Sequence, residues 1–185
     1  MKTQLDLRDL LKRGKISDEL DLERALILDR KLRLMVKEHP ELADDRKQLR
    51  QIIKTYENSN WRNSSTITEL QIKESENAEF IVEQERIFIE RRKDLIKKSI
   101  AKYSLSQQDL GKILGHSKSY MSELMNGVNP FSIRDLIIIH RLFHIKLEFL
   151  IPTIISQKDN EKLKESISKL NKPKLKLEKK GLIYD

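Results

Sequence analysis

The chain contains no cysteine. That excludes disulfides, thiolate metal sites and thiol nucleophiles. Glycine and proline number only 5 and 4 among 185 residues, too few for a glycine-rich phosphate cradle or a turn-rich β fold. Aromatic residues are scarce, at 5%. No apolar run approaches the roughly 18–20 residues that a membrane-spanning helix needs. The N-terminus is charged from Lys2 onward and has no apolar stretch, so a cytoplasmic protein without a signal peptide is expected. What the chain has in abundance is Leu, Ile, Lys and Glu, a mixture that favours helices.

The net charge is +8, from 37 basic and 29 acidic side chains. It is unevenly placed. Residues 1–82 are neutral in sum, residues 83–155 carry +4 and residues 156–185 another +4. A basic excess is compatible with a polyanionic partner but does not specify one.

Between Ser17 and Trp61 two helices are expected. In the first, Leu20, Leu22, Ala25, Leu26, Leu28, Leu32, Leu34, Met35 and Val36 recur at mixed three- and four-residue spacing. Ser17 and Asp18 suit its cap, and His39-Pro40 ends it because proline disfavours helical geometry at the preceding residue. The second starts at Glu41 or Ala43 and reaches Tyr56, with Leu42, Leu49, Ile52, Ile53 and Tyr56 on one side. Such a hairpin is too small to close a core alone. It must pack on a second copy, on a partner or on the rest of the chain. Glu57 to Thr68 is a polar break holding Trp61, either an anchor against the hairpin or a partner contact. From Glu69 to Tyr103 the pattern is helical again, with Ile96, Ile100 and Tyr103 on one face. The Arg91-Arg92-Lys93 and Lys97-Lys98 runs read as a solvated face that could touch phosphates.

The informative stretch is Leu105 to Gly127, LSQQDLGKILGHSKSYMSELMNG. Ser106 caps a short helix, with Asp109 three residues on. Leu110, Ile113 and Leu114 share one face, and Gly115 can take the left-handed conformation that ends a helix. Ser117 caps a second helix with Met121, Leu124 and Met125 at the same spacing, ended by Asn126-Gly127. Small Gly111 lets the two helices approach. This is a helix-turn-helix. The second helix carries Lys118, Ser119, Ser122, Glu123 and Asn126 on its expected open face, side chains of the kind that read base edges. Asn129-Pro130 is a turn. Ser132 caps a helix (SIRDLIIIHRLFH) apolar on most sides and expected to be buried. KLEFLI forms a short helix stopped by Pro152, giving five helices from about residue 86 to 151.

These residues resemble the Cro/C1-type (XRE) helix-turn-helix family over about 65 residues. The resemblance implies a phosphate-clamping role for Gln107. It implies base reading by Ser117, Lys118 and Ser119, then by Ser122 and Glu123 one turn on. Backbone contacts are implied for Asn126 and Asn129, and Tyr120 would be a reader or a backbone contact. His116 departs from the family, which usually has an aliphatic residue there. The helix, proline break and helix ending Ile52-Ile53-Lys54-Thr55-Tyr56-Glu57 resemble the N-terminal region of HigA-type antitoxins, partners of HigB mRNA endonuclease toxins. That resemblance implies a toxin-contacting hairpin.

Residues 156–185 are Lys-rich. Leu163, Ile167 and Leu170 make at most one amphipathic turn and a half before Asn171-Lys172-Pro173, so a mostly disordered basic tail is expected. His140 and His144 stand at i, i+4, but Arg141 takes the place of the Glu that a metal-hydrolase motif requires. No metal, cofactor or catalytic constellation is expected, and the protein is not read as an enzyme.

The sequence therefore predicts an all-α chain. It has an N-terminal helical hairpin (1–60), a linker and the start of a long helix (61–82), a five-helix Cro/C1-type domain (83–155) and a Lys-rich tail (156–185). The function expected is a sequence-specific DNA-binding repressor, homodimeric on double-stranded operator DNA and cytoplasmic at the nucleoid. It would be either the antitoxin of a HigB-like toxin or a free-standing regulator.

Overall fold

A computed structural model describes residues 6–62, 67–152 and 157–170, together with 172 and 175. Among the described residues all regular structure is helical. The α-helices are α1 (Leu7–Arg13), α2 (Glu19–Met35), α3 (Ala43–Asn60), α4 (Glu69–Lys102), α5 (Gln107–Leu114), α6 (Lys118–Asn126), α7 (Ile133–Phe143) and α8 (Gln157–Lys169). Short 3-10 turns occupy Pro40–Leu42 and Leu147–Phe149.

The organising element is α4. Its 34 residues extend about 50 Å at the usual helical rise. Thr68 opens it with a reciprocal capping box to Gln71. One buried stripe runs from Ala78 to Ile100 through Ile81, Val82, Glu85, Phe88, Ile89, Arg92 and Ile96, the three- and four-residue spacing of a single helix face. Its N-terminal half seats α2, and its C-terminal half forms a wall of the helix-turn-helix core.

The N-terminal helices form one core. Leu22, Ala25, Leu28, Leu32 and Met35 of α2 meet Leu49, Ile52 and Ile53 of α3, with Leu7, Leu10, Ile16 and Leu42 closing the end. Of the three supports the hairpin could have used, it takes the rest of its own chain. Trp61 packs on this core and donates to Glu19 Oε1 at 3.1 Å, so it serves as an intramolecular anchor. A buried ion pair between Arg24 and Glu85 ties α2 to α4.

Several expectations need correction. The N-terminal region begins with an extra helix, α1, capped by Asp6 and stopped by Gly14 at φ 68°. Arg92 is not on a solvated face. It is 3% exposed, donates to the Leu150 carbonyl at 3.3 Å and lies between the rings of Phe88 and Phe131. Ile113 is exposed, because only Leu110, Gly111 and Leu114 of α5 turn inward. Helix α7 is not buried all round. It packs by one side, on α4 and the Leu147–Phe149 turn, leaving Ile133 75% exposed. The fifth helix expected in the domain is only that 3-10 turn. Within the tail, Gln157–Lys169 form a 13-residue helix, α8. Leu163 on it and Leu170 just past its end are exposed, so local propensity rather than a core accounts for it. The break expected at Asn171 and Pro173 lies outside the described residues.

Candidate nucleic-acid interface

The helix-turn-helix is built by local chemistry. Ser106 accepts from the Asp109 backbone N–H at 3.1 Å, and Asp109 accepts from the Ser106 N–H at 3.0 Å. Hydrogen bonds from Ser106 hold the Asp109 carboxyl below its ordinary pKa, so this cap is ionised at neutral pH. Gly115 stops α5 at φ 83°. A Cβ on Gly111 would lie 3.3 Å from the His116 carbonyl oxygen and 3.4 Å from Met121 Cβ, confirming that α6 crosses α5 closely at this glycine. Ser117 then caps α6 by accepting from the Tyr120 N–H at 3.2 Å. Met121, Leu124 and Met125 lock α6 into a core shared with Ile96, Leu110, Leu114 and Ile139.

His116, the departure from the family pattern, has a defined place. Its Nε2 lies 3.1 Å from Asp135 Oδ2, and its ring meets Tyr120 edge-on at 5.1 Å. Asp135 also closes the capping box of α7 with Ser132. One carboxylate thus links the turn to the start of α7, the work an aliphatic contact would otherwise do.

The sequence-derived site residues divide into three groups. Gln107 opens α5 and is half-buried, while Ser117 and Lys118 are exposed at the start of α6. Ser119, Tyr120, Ser122 and Asn126 are half-buried. Ser119 donates to Glu41 Oε1 at 2.6 Å and lies 3.4 Å from His39 Nδ1. Tyr120 lies under the Arg8 guanidinium at 4.7 Å, and burial pushes its hydroxyl above the ordinary pKa. Asn126 donates to the Ser122 carbonyl at 2.9 Å and accepts from Lys93 Nζ at 2.7 Å. Glu123 and Asn129 are buried, at 6% and 1% exposure, and Asn129 donates to Glu123 Oε2 at 2.7 Å. Burial raises the Glu123 pKa, while Arg8, 3.9 Å from its carboxylate, opposes the rise.

The expectation of an open polar face on α6 is therefore overturned for Glu123. The N-terminal core lies beside it, and Val128, one residue past the Gly127 cap, is fully buried in that core. Only the first residues of α6 face solvent freely. Sequence reasoning missed Arg8, His39 and Glu41, which contact α6 from 78 to 115 positions away. Their only local signal was that charged and polar residues stood where a solvated surface was also expected.

Among the described residues, no group of three or more His, Asp or Glu is arranged to hold a metal ion. His140 Nδ1 lies 2.6 Å from the Ile145 carbonyl oxygen. No described helix is long and apolar enough to cross a membrane.

The geometry defines a helix-turn-helix domain: two short capped helices, α5 and α6, joined by a tight glycine turn and backed by α4 and α7. A helix-turn-helix family model of the XRE type matches residues 96–150, and such a match suggests a DNA-binding regulator. The matched segment runs from Ile96, deep in the core, to Leu150, the carbonyl partner of Arg92. No curated protein and no solved structure matches the chain.

Proposed function

We propose that the chain is a sequence-specific transcriptional regulator that binds palindromic operator DNA as a homodimer through α6. The observation that carries this reading is the exposed, Ser117-capped start of α6, with Lys118 held outward by the packing of Met121 across Gly111. A cation there supplies counterion-release affinity, and the polar side chains behind it supply directional hydrogen bonds to base edges. Ser117, Lys118, Ser119, Tyr120 and Ser122 are the proposed readers. Gln107 and Asn126 are the proposed backbone contacts; Asn129 is spent on the buried Glu123. One recognition helix spans few base pairs, which is the argument for a two-fold dimer on two half-sites.

The reading extends to autorepression by the antitoxin of a HigB/HigA-like pair, acting in the cytoplasm at the nucleoid. Its support is the resemblance of the helix–proline–helix segment ending at Glu57. A free-standing regulator without a toxin is the second reading. One observation favours it: α1–α3 close their buried core on α4 and on Val128 of the same chain.

Selection of bound sequences from random duplexes, with the purified full chain at fixed salt, tests the DNA reading. A palindromic motif should be enriched by the wild type and lost with Lys118→Ala. Failure to enrich any motif would reject it. Expressing the adjacent gene alone and together with this one separates the two versions. Growth arrest relieved by co-expression supports the antitoxin, and a harmless neighbour rejects it.

A further inference from the structure

The N-terminal core rests on the helix proposed to enter DNA. Four independent contacts make this docking. Glu41 accepts from Ser119 at 2.6 Å. Arg8 caps the Tyr120 ring at 4.7 Å and reaches Glu123 at 3.9 Å. Val128 inserts into the α1–α3 core and is fully buried. The Gly127 cap lies against α2 and α4 so closely that an added Cβ would be 3.1 Å from Lys31 Nζ and 2.7 Å from Ile89 Cγ2.

The chemistry of the docked segment is that of a competitor for phosphate. Glu41 in the Pro40–Leu42 turn and Asp44 and Asp45 in the first turn of α3 form an acidic run. Glu41 contacts α6 directly, and Asp45 is close enough to raise the pKa of Glu123. The start of α6, with its cap, its positive dipole end and Lys118, is where an anionic backbone would approach. A carboxylate already occupies the hydroxyl of Ser119 there.

We infer that this arrangement is a closed, self-inhibited state: the Arg8 and Glu41 contacts form a clasp that hides part of α6, and duplex DNA competes with the clasp for the same surface. The inference rests on the DNA reading above. Binding through a fractionally populated open state lowers the apparent affinity by that fraction and leaves the sequence preference unchanged. Loosening the clasp therefore raises affinity for the preferred duplex without relaxing specificity.

The test is a titration of the selected duplex and a scrambled duplex with the wild type, Arg8→Ala, Glu41→Ala and Glu57→Ala at one salt concentration. Glu57 is an exposed acid at the far end of α3 and serves as the charge control. Arg8→Ala is decisive because its sign is opposed. Losing a cation weakens attraction to a polyanion, whereas releasing a clasp strengthens binding. The clasp predicts roughly 3- to 10-fold tighter binding of the selected duplex by Arg8→Ala, and by Glu41→Ala beyond the Glu57→Ala effect, with the selected-to-scrambled ratio unchanged. Weaker binding by Arg8→Ala, or equal gains from Glu41→Ala and Glu57→Ala, overturns the clasp while the DNA reading stands. Binding of no duplex by the wild type and by both loosened variants removes the DNA reading, and the clasp with it. Thermal melting of each variant separates a lost fold from a changed affinity.

Discussion

Arg24 and Glu85 face each other across α2 and α4 as a doubly hydrogen-bonded ion pair, the two residues 8% and 7% exposed. Such a pair is not a net source of stability, because two desolvated charges roughly cancel their attraction. It does penalise any other register of α2 on α4. Glu85→Ala should cost about 3–5 kcal/mol by leaving a buried guanidinium unpaired. The double variant Arg24→Met/Glu85→Leu should recover most of that loss. Urea unfolding of the three proteins checks this, and a double variant no better than the single one would reject the argument.

Gly127→Ala should destabilise the fold by about 2 kcal/mol or more. Part is the left-handed φ of +67° that an L-residue tolerates poorly. The rest is the contact with Ile89 Cγ2 at 2.7 Å from an added Cβ. Ile89→Ala in the same chain should relieve only the steric part, so the two changes will be less than additive.

Lys31 gives a pH signature. It is half-buried against α4, and burial lowers its pKa to about 8 from an ordinary 10.5. Between about pH 8 and 10.5 the unfolded chain holds a proton on this lysine that the folded chain lacks. Stability from this group therefore rises with pH across that window and is lowest below it. Lys31→Met should abolish the rise and make the protein more stable at pH 7, by up to about 3 kcal/mol. Chemical denaturation at pH 7 and 9.5 checks both statements.

Asp135 and Asp109 occupy the same capping-box position in α7 and α5. Asp135 is 2% exposed and also holds His116, whereas Asp109 lies at the surface. Asp135→Ala should therefore cost more than Asp109→Ala, on the order of 2–3 kcal/mol for the buried case. Equal losses, measured by thermal melting, would show that His116 contributes nothing through this carboxylate.

On DNA, Lys118→Ala should weaken the preferred duplex by roughly 1–3 kcal/mol more than a scrambled one if Lys118 reads a base. Gln107→Ala should weaken both alike, as a phosphate contact does. Equal, sequence-blind losses from both substitutions would count against Lys118 as a reader.

What the sequence made legible was local. The Ser106, Ser117 and Ser132 caps, the Gly115 and Gly127 stops and the Met121–Leu124–Met125 face all act within four residues, and all stand where the motif reading puts them. The turn of the hairpin at His39-Pro40 was legible for the same reason. The rest is long-range. Nothing near Arg92 says that two phenylalanines 4 and 39 positions away will enclose it. Nothing near Glu123 says that Arg8 and Asn129 will bury it. The first 82 residues sum to zero charge, which conceals that one acid, Glu41, and one arginine, Arg8, contact α6. Helix α1 is not legible because seven residues give too short a periodic signal, although Leu7 and Leu10 are among the most deeply buried side chains of the described residues.

The unbroken stripe along α4 makes that helix a common spine. It contains neither glycine nor proline between Glu69 and Lys102, so it offers no kink point between the two cores it serves. The two cores it serves should consequently melt in a single cooperative step, one half drawing the other with it, despite belonging to segments that read in the sequence as separate units.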